Sequence, residues 1–285
     1  MNSKSVAREV LPVLGEFATH PVRVARALPG EWRQRRGKTP WTESDFDNDW
    51  CERLHGLLGA PWPCREAQQV PGLLTEIGAL LSAKGLGVGR HTYGWYSDAD
   101  IELCTAIWCS VLHGRPNIVI ETGVAHGISS RIVLEALSRN DRGRLWSIDL
   151  PHPLNHRLHV DTGVAVTEAL RPRWTYLEGE SRRVLPSLVA KVSKAELFIH
   201  DSLHTAKNTV FEMEQAASVM PLGGVMLVDD IRGHDGFASF ARSHPEFATV
   251  LCSTADHAAG FGIAVRTESA VPAGSHQGAH PRRHR

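Results

Sequence analysis

Asn117-Ile-Val-Ile-Glu121-Thr-Gly123-Val-Ala125-His-Gly127-Ile-Ser-Ser-Arg131 is the stretch whose reading decides the fold. The apolar run Ile118 to Ile120 ends in the acid Glu121, the small residues Gly123, Ala125 and Gly127 follow, and the spacing then becomes helical. That order predicts a buried strand, a tight turn and a helix. Glycine has no Cβ to hold a ligand away from the backbone, and amides that open a helix point outward as donors. Such a turn, at the C-terminal edge of a parallel sheet, holds a polar ligand. Its Gly-x-x-x-Gly spacing is neither the dinucleotide fingerprint nor the phosphate loop.

Beyond the turn, Ser130 to Ser138 has helical spacing, and Arg144-Leu-Trp-Ser-Ile-Asp149 reads as a second strand ending in a carboxylate. An acid about twenty residues past the glycines can accept both hydroxyls of a ribose, which points to an adenosine-containing cofactor. Glu121-Thr-Gly-Val-Ala-His-Gly-Ile-Ser129, followed by Asp149, resembles the first motif and partner acid of the class I S-adenosylmethionine-dependent methyltransferases. The resemblance implies that the turn carrying Thr122, Gly123, Ala125, Gly127 and Ser129 passes the methionine part of the cofactor. It places Glu121 near the cofactor's amino group and Asp149 on the ribose.

Downstream, the alternation continues. Leu150 to His159 reads as a loop with three histidines, Thr162 to Leu170 as helical, and Trp174 to Glu178 as a third strand. The turn after the third strand flanks the adenine ring in the resembled family, which makes Glu180 and Ser181 candidate contacts. Ser181 is also a helix N-cap candidate. Glu196 to Asp201 and Gly224 to Asp230 read as the fourth and fifth strands, with a helix over Thr205 to Ala217 between them. Phe237 to Arg242 is a short helix, and Phe247 to Cys252 and Gly260 to Arg266 are the last strands, an antiparallel hairpin in the resembled fold. The predicted fold is α/β: a doubly wound, mainly parallel, Rossmann-like sheet with an N-terminal helical extension.

Three regions follow from this. Residues 1–90 are a helical cap region, 91–266 the cofactor-binding domain and 267–285 a tail without apolar period, expected to be disordered. The first region holds amphipathic pieces at Val6 to Phe17 and Val22 to Leu28, the basic patch Arg33 to Lys38 and a helical Leu73 to Leu81. It closes at the glycine-rich Gly85 to Gly89. The aromatic His91 to Tyr96 precedes a predicted helix from Asp98 to Leu112, with Ser97 as its N-cap. The N-terminal helices are placed to shape an acceptor pocket or a homodimer contact.

Lys+Arg and Asp+Glu both number 31, so no net charge calls for nucleic acid or an anionic membrane as partner. No apolar run approaches the ~18 residues that span a bilayer. Five cysteines, Cys51, Cys64, Cys104, Cys109 and Cys252, show neither paired zinc spacing nor a secreted pattern, which predicts reduced thiols in a cytosolic protein.

Asp201, Asp229 and Asp230 end neighbouring strands and should converge beside the cofactor turn, where each carboxylate raises the pKa of the others. A divalent cation removes that repulsion, and hard oxygen donors favour Mg2+, with Mn2+ or Ca2+ as alternatives. Without one, the acids simply cap the loops. His200-Asp-Ser-Leu-His204 and Val228-Asp-Asp-Ile231 resemble segments of the metal-dependent O-methyltransferases of the macrocin and aminocoumarin-sugar type, and of the cephalosporin hydroxylase-like branch. There the three equivalent aspartates hold Mg2+ beside the sugar hydroxyl. Asp201 is thus a metal ligand, a cofactor neighbour and a catalytic residue at once. The family's base lies two residues beyond that first aspartate, where this chain has Leu203. His204 is the nearest titratable replacement and His234 the next.

The reading is therefore a Mg2+-assisted transfer from S-adenosylmethionine to a hydroxyl of a small molecule. A metal-independent transfer and a non-catalytic cofactor-binding module are the alternatives.

Overall fold

The computed structural model describes residues 40–94, 96–152, 155–257 and 259–268. The expectations for residues 1–39, for Trp95 of the aromatic stretch, for Pro153 and Leu154 of the histidine loop, and for the tail from 269 lie outside the described residues. In chain order the elements are α1 (Trp50–Leu58), α2 (Val70–Ala83), α3 (Ile101–Gly114), β1 (Ile118–Thr122), α4 (Ile128–Arg139), β2 (Arg144–Asp149) and β3 (Trp174–Glu178). They continue with α5 (Ser181–Val192), β4 (Leu197–His200), α6 (Ala206–Ala217), β5 (Val225–Val228), α7 (Gly236–Ser243), β6 (Phe247–Ser253) and β7 (Gly260–Arg266).

The strands form one sheet in the order β3-β2-β1-β4-β5-β7-β6, parallel except for β7, which runs antiparallel to both of its neighbours. The predicted doubly wound sheet and its closing hairpin are both present. β1 is central because both faces of its apolar run are buried: Val119 packs with α1 to α4, and Ile120 with α5 to α7. The strand order reverses between β1 and β4, and the crevice at their carboxyl ends is where ligands of such sheets bind. On the first face, Trp50, Leu54, Ile77 and Leu81 share one core with Leu103, Ile107 and Ile132, so α1 and α2 pack on the sheet's own helices across the glycine-rich linker.

Three local expectations fail, the first two for a hydrogen-bonding reason. Helix α3 starts at Ile101 with Asp100 as N-cap, its carboxylate accepting from the Glu102 amide. Asp98 is withdrawn from that helix because it accepts from the Gly89 amide and the Thr92 hydroxyl, both at 2.8 Å. Thr162 to Leu170 is a series of turns, since Gly163 N–H donates to Ala125 O (2.8 Å) and Ala165 N–H to His126 O (2.9 Å). Those donors serve the glycine turn instead of a helix. Helix α5 takes Glu180 as its N-cap, and Ser181 is its first residue.

Candidate active site

The turn after β1 is held in a conformation that its small residues permit. Gly123, Ala125 and Gly127 have φ of +87°, +46° and +85°. A Cβ on Gly123 would lie 1.8 Å from the Asp201 carbonyl oxygen, and one on Gly127 would lie 2.9 Å from Gly163 Cα. The first glycine therefore lets β4 close against β1, and the second lets residues 161–166 cross the turn. Tyr93 covers it from outside: its hydroxyl meets Thr162 Oγ1 at 2.6 Å, and its ring sits edge-on to His126 at 5.2 Å. The aromatic stretch thus packs over the motif.

Glu121 is fully buried beneath the first turn of α4 and accepts hydroxyls from Ser129 (2.7 Å), Ser130 (2.5 Å) and Ser147 (2.6 Å). Burial raises its pKa to about 7, further than the three hydroxyls can offset. The structure thus shows Glu121 bracing the turn, with both oxygens engaged. Asp149, at the end of β2, accepts from the amides of Val124 and Ala125. Burial first, then the charges of Glu121 and Asp201, push its pKa to about 7 as well. Glu180 sits near the surface beside Arg183 (3.2 Å), while the Ser181 hydroxyl turns inward to Glu212.

Of the three strand-end acids, Asp201 and Asp229 come together, and Asp230 joins them through His204. One ligating atom each from Asp201, His204 and Asp229 lies within 4.8 Å of the other two. His204 bridges the group, with Nε2 3.5 Å from Asp201 and Nδ1 3.3 Å from Asp230. Burial works against its charge, but the bonds to Asp201 and Asp230 outweigh burial and hold its pKa well above the usual value. The same bond holds Asp230 low, while burial and the neighbouring Asp201 drive Asp229 well up. Asp230 carries φ +49°, a backbone conformation costly for a non-glycine residue, which turns its carboxylate toward the histidine. Among these aspartates the protonated form of His204 is favoured, and that proton must leave before the ring can act as a base or a metal ligand.

Sequence reasoning missed a second polar centre. Glu212 of α6 is fully buried and accepts from Thr122 Oγ1 (2.6 Å), His200 Nδ1 (2.6 Å), Ser202 Oγ (2.8 Å) and Asn208 Nδ2 (2.8 Å). Burial raises its pKa, but His200 and these donors overcome that and bring it down to about 2. Thr209 Oγ1 bridges His200 Nε2 (3.0 Å) and His234 Nε2 (3.3 Å), and His234 Nδ1 accepts from the Gly236 amide (3.1 Å). With both ring nitrogens engaged and burial pushing its pKa to about 4, His234 is a structural link. The signal was present: Asn208, Thr209 and Glu212 share the buried stripe of α6 with Met213 and Ala216.

This sheet order, with a glycine turn and a strand-end acid at its switch point, defines a class I methyltransferase architecture. Residues 120–231 match the family described as a methyltransferase domain. The fold is shared with an O-methyltransferase from Bacillus cereus in complex with S-adenosylhomocysteine, at 16% identity and TM-score 0.52, covering 80% of this chain and 98% of that one. It is shared too with the O-methyltransferase TomG from Streptomyces achromogenes, involved in tomaymycin synthesis and in complex with S-adenosylmethionine. That match has 14% identity and TM-score 0.52, and covers 68% of this chain and 89% of that one. No curated protein matches the sequence significantly. Among the described residues no helix is long and apolar enough to cross a membrane.

Proposed function

We propose that the chain is an S-adenosylmethionine-dependent methyltransferase that acts on a hydroxyl group of a small molecule, a sugar or another natural product, with help from a divalent cation. The observation that carries the reading is the approach of Asp201, His204 and Asp229 to within 4.8 Å of one another beside the glycine turn. Two neighbours of the same fold that are named O-methyltransferases support the oxygen acceptor.

The residues suit both groups. The turn and Asp149 offer a cradle lined by Glu121, Asp149 and Asp201, whose mutual repulsion a cationic cofactor relieves. S-adenosylmethionine supplies an electrophilic methyl on a sulfonium when bound. Asp201, Asp229 and Asp230 offer hard oxygens that fit Mg2+, which supplies Lewis acidity toward a hydroxyl when bound. Asp149 would receive ribose hydroxyls, the backbone from Gly123 to Gly127 would hold the methionine part, and Glu180 and Ser181 would serve the adenine. The Asp201–His204–Asp230 group is the nearest titratable cluster and takes the acceptor's proton.

Calorimetric binding of S-adenosylhomocysteine to wild type and Asp149→Ala, followed by methyl transfer to a panel of hydroxylated acceptors with Mg2+ or chelator, tests this. Binding lost in the variant and turnover lost with chelator are expected. Turnover indifferent to chelator selects metal-independent transfer, and binding without turnover on any acceptor selects a non-catalytic module.

A further inference from the structure

Cysteine and histidine recur at i, i+4 on two helices, as Cys51 and His55 on α1 and as Cys109 and His113 on α3. Neither pair resembles a zinc motif read along the chain. The fold places the two helices together and adds Cys64 from the loop between α1 and α2. One ring nitrogen each of His55 and His113 and the Cys64 thiol lie within 4.8 Å of one another, with Cys64 Sγ 3.3 Å from His113 Nε2. The Cys109 thiol lies against those of Cys51 and Cys64, next to this three-residue group rather than within its 4.8 Å spacing.

His55 supplies an independent sign of a ligand. It is fully buried, and its Nδ1 is 2.6 Å from the Cys51 carbonyl oxygen, an acceptor only, so Nδ1 carries the proton. Nε2 is thereby left with a lone pair, and it is buried with no hydrogen-bond partner among the described residues. A histidine whose second nitrogen donates to a backbone carbonyl is the usual arrangement of a metal ligand. The ring lies edge-on to His113, 5.1 Å away, and one of its nitrogens is among the clustered ligating atoms.

We propose that His55, Cys64, Cys109 and His113 form a structural Zn2+ site that pins α1 and the Cys64 loop to α3. Two imidazoles and two thiolates make a closed tetrahedral set that leaves no position open for substrate. Tetrahedral bonds of the usual length put sulfur and nitrogen ligands about 3.5 Å apart, close to the 3.3 Å between Cys64 and His113, and a rotation of the neighbouring Cys109 side chain completes the set. On binding, Cys64 and Cys109 each lose a proton to solvent as their Zn–S bonds form, and the cation's charge is balanced. The site is remote from methyl transfer: Cys109 and His113 lie in the last turns of α3, which runs into the amino end of β1, whereas the aspartates lie at the carboxyl ends. A thiophilic d10 ion suits this mixed sulfur and imidazole set better than the Mg2+ that suits the aspartates.

The test uses the full chain, purified without an affinity tag. Metal analysis should give about one tightly held Zn2+ per chain, released when thiols are blocked. Replacement by Co2+ should produce an intense sulfur-to-cobalt charge-transfer band, which neither the aspartates nor the histidines of the tail can give. Cys64→Ser should weaken that band, Cys64→Ser combined with Cys109→Ser should abolish it, and each of these variants and His113→Ala should lose at least tenfold in metal affinity, whereas Asp229→Asn should keep both. A wild-type protein without stoichiometric metal and without the cobalt band overturns the proposal even if the variants do not fold. So does a disulfide among these cysteines in protein purified without oxidant, or a band that survives Cys64→Ser combined with Cys109→Ser.

Discussion

Replacing Asp149 by Asn should stabilise the cofactor-free protein at alkaline pH while abolishing its response to cofactor. The Asp149 carboxyl is raised from 3.8 to about 7, mainly by burial and then by Glu121 and Asp201. For a wholly shielded group that shift corresponds to ~4 kcal/mol. Water and salt reaching the crevice reduce it to about 1–2 kcal/mol. The sign follows from linkage. The native state keeps a proton that the unfolded chain has already lost, so this contribution is complete below pH 4 and vanishes as pH rises through 7. Above that, the wild type bears the full cost of a buried charge. Asn bears none, and its oxygen still accepts from the turn amides. Urea denaturation at several pH values should show Asp149→Asn more stable than wild type by about 1–2 kcal/mol at pH 8, with the gap closing toward pH 4. Removing the Asp149 charge also relieves the buried Glu121, which acts in the same direction at alkaline pH. S-adenosylhomocysteine at a hundred times its Kd should stabilise the wild type by about 2.7 kcal/mol and leave the variant unmoved. A variant less stable than wild type at pH 8, or a gap independent of pH, would refute the electrostatic account of this site.

Gly123→Ala places a Cβ 1.8 Å from the Asp201 carbonyl at positive φ, so β1 and β4 must separate; a loss of more than ~3 kcal/mol by denaturation, with no cofactor binding, is expected. Glu212→Gln sets an amide among five donors and removes the partner of His200, which should cost about 3–5 kcal/mol. Because the Glu212 pKa is depressed from 4.5 to about 2, its contribution is present above pH 4.5 and lost as pH falls toward 2, so the variant should flatten the acid limb of the wild-type stability profile. Asp229→Asn should raise the Mg2+ concentration for half-maximal methyl transfer at least tenfold; an unchanged metal titration would remove Asp229 from the ligand set.

Much of the fold was legible because its signals are local. The apolar runs of β1, β2 and β3 are bounded by charges and small residues, and each strand falls on or within one residue of its expected limits. What misled the reading was competition for hydrogen bonds. Asp98 and the amides of Gly163 and Ala165 look like helix material in sequence, yet their partners lie far along the chain on Gly89, Ala125 and His126. Asp201, Asp229 and Asp230 could be placed at one sheet edge because strands of a parallel sheet end together. That His204 would sit between Asp201 and Asp230 as a cation could not, since it depends on a backbone reversal at Asp230.

The chain by itself determined the sheet, its cofactor turn and the edge at which the chemistry lies, because hydrophobic period, glycine placement and strand-end acids are all written within a few residues of one another. The tertiary structure alone decided which polar groups meet. Glu212 with His200 and Thr122, and the two Cys-x-x-x-His pairs of α1 and α3, become centres only through helix packing. Burial then sets their protonation, because the cost of a buried charge depends on neighbours that sequence proximity does not name.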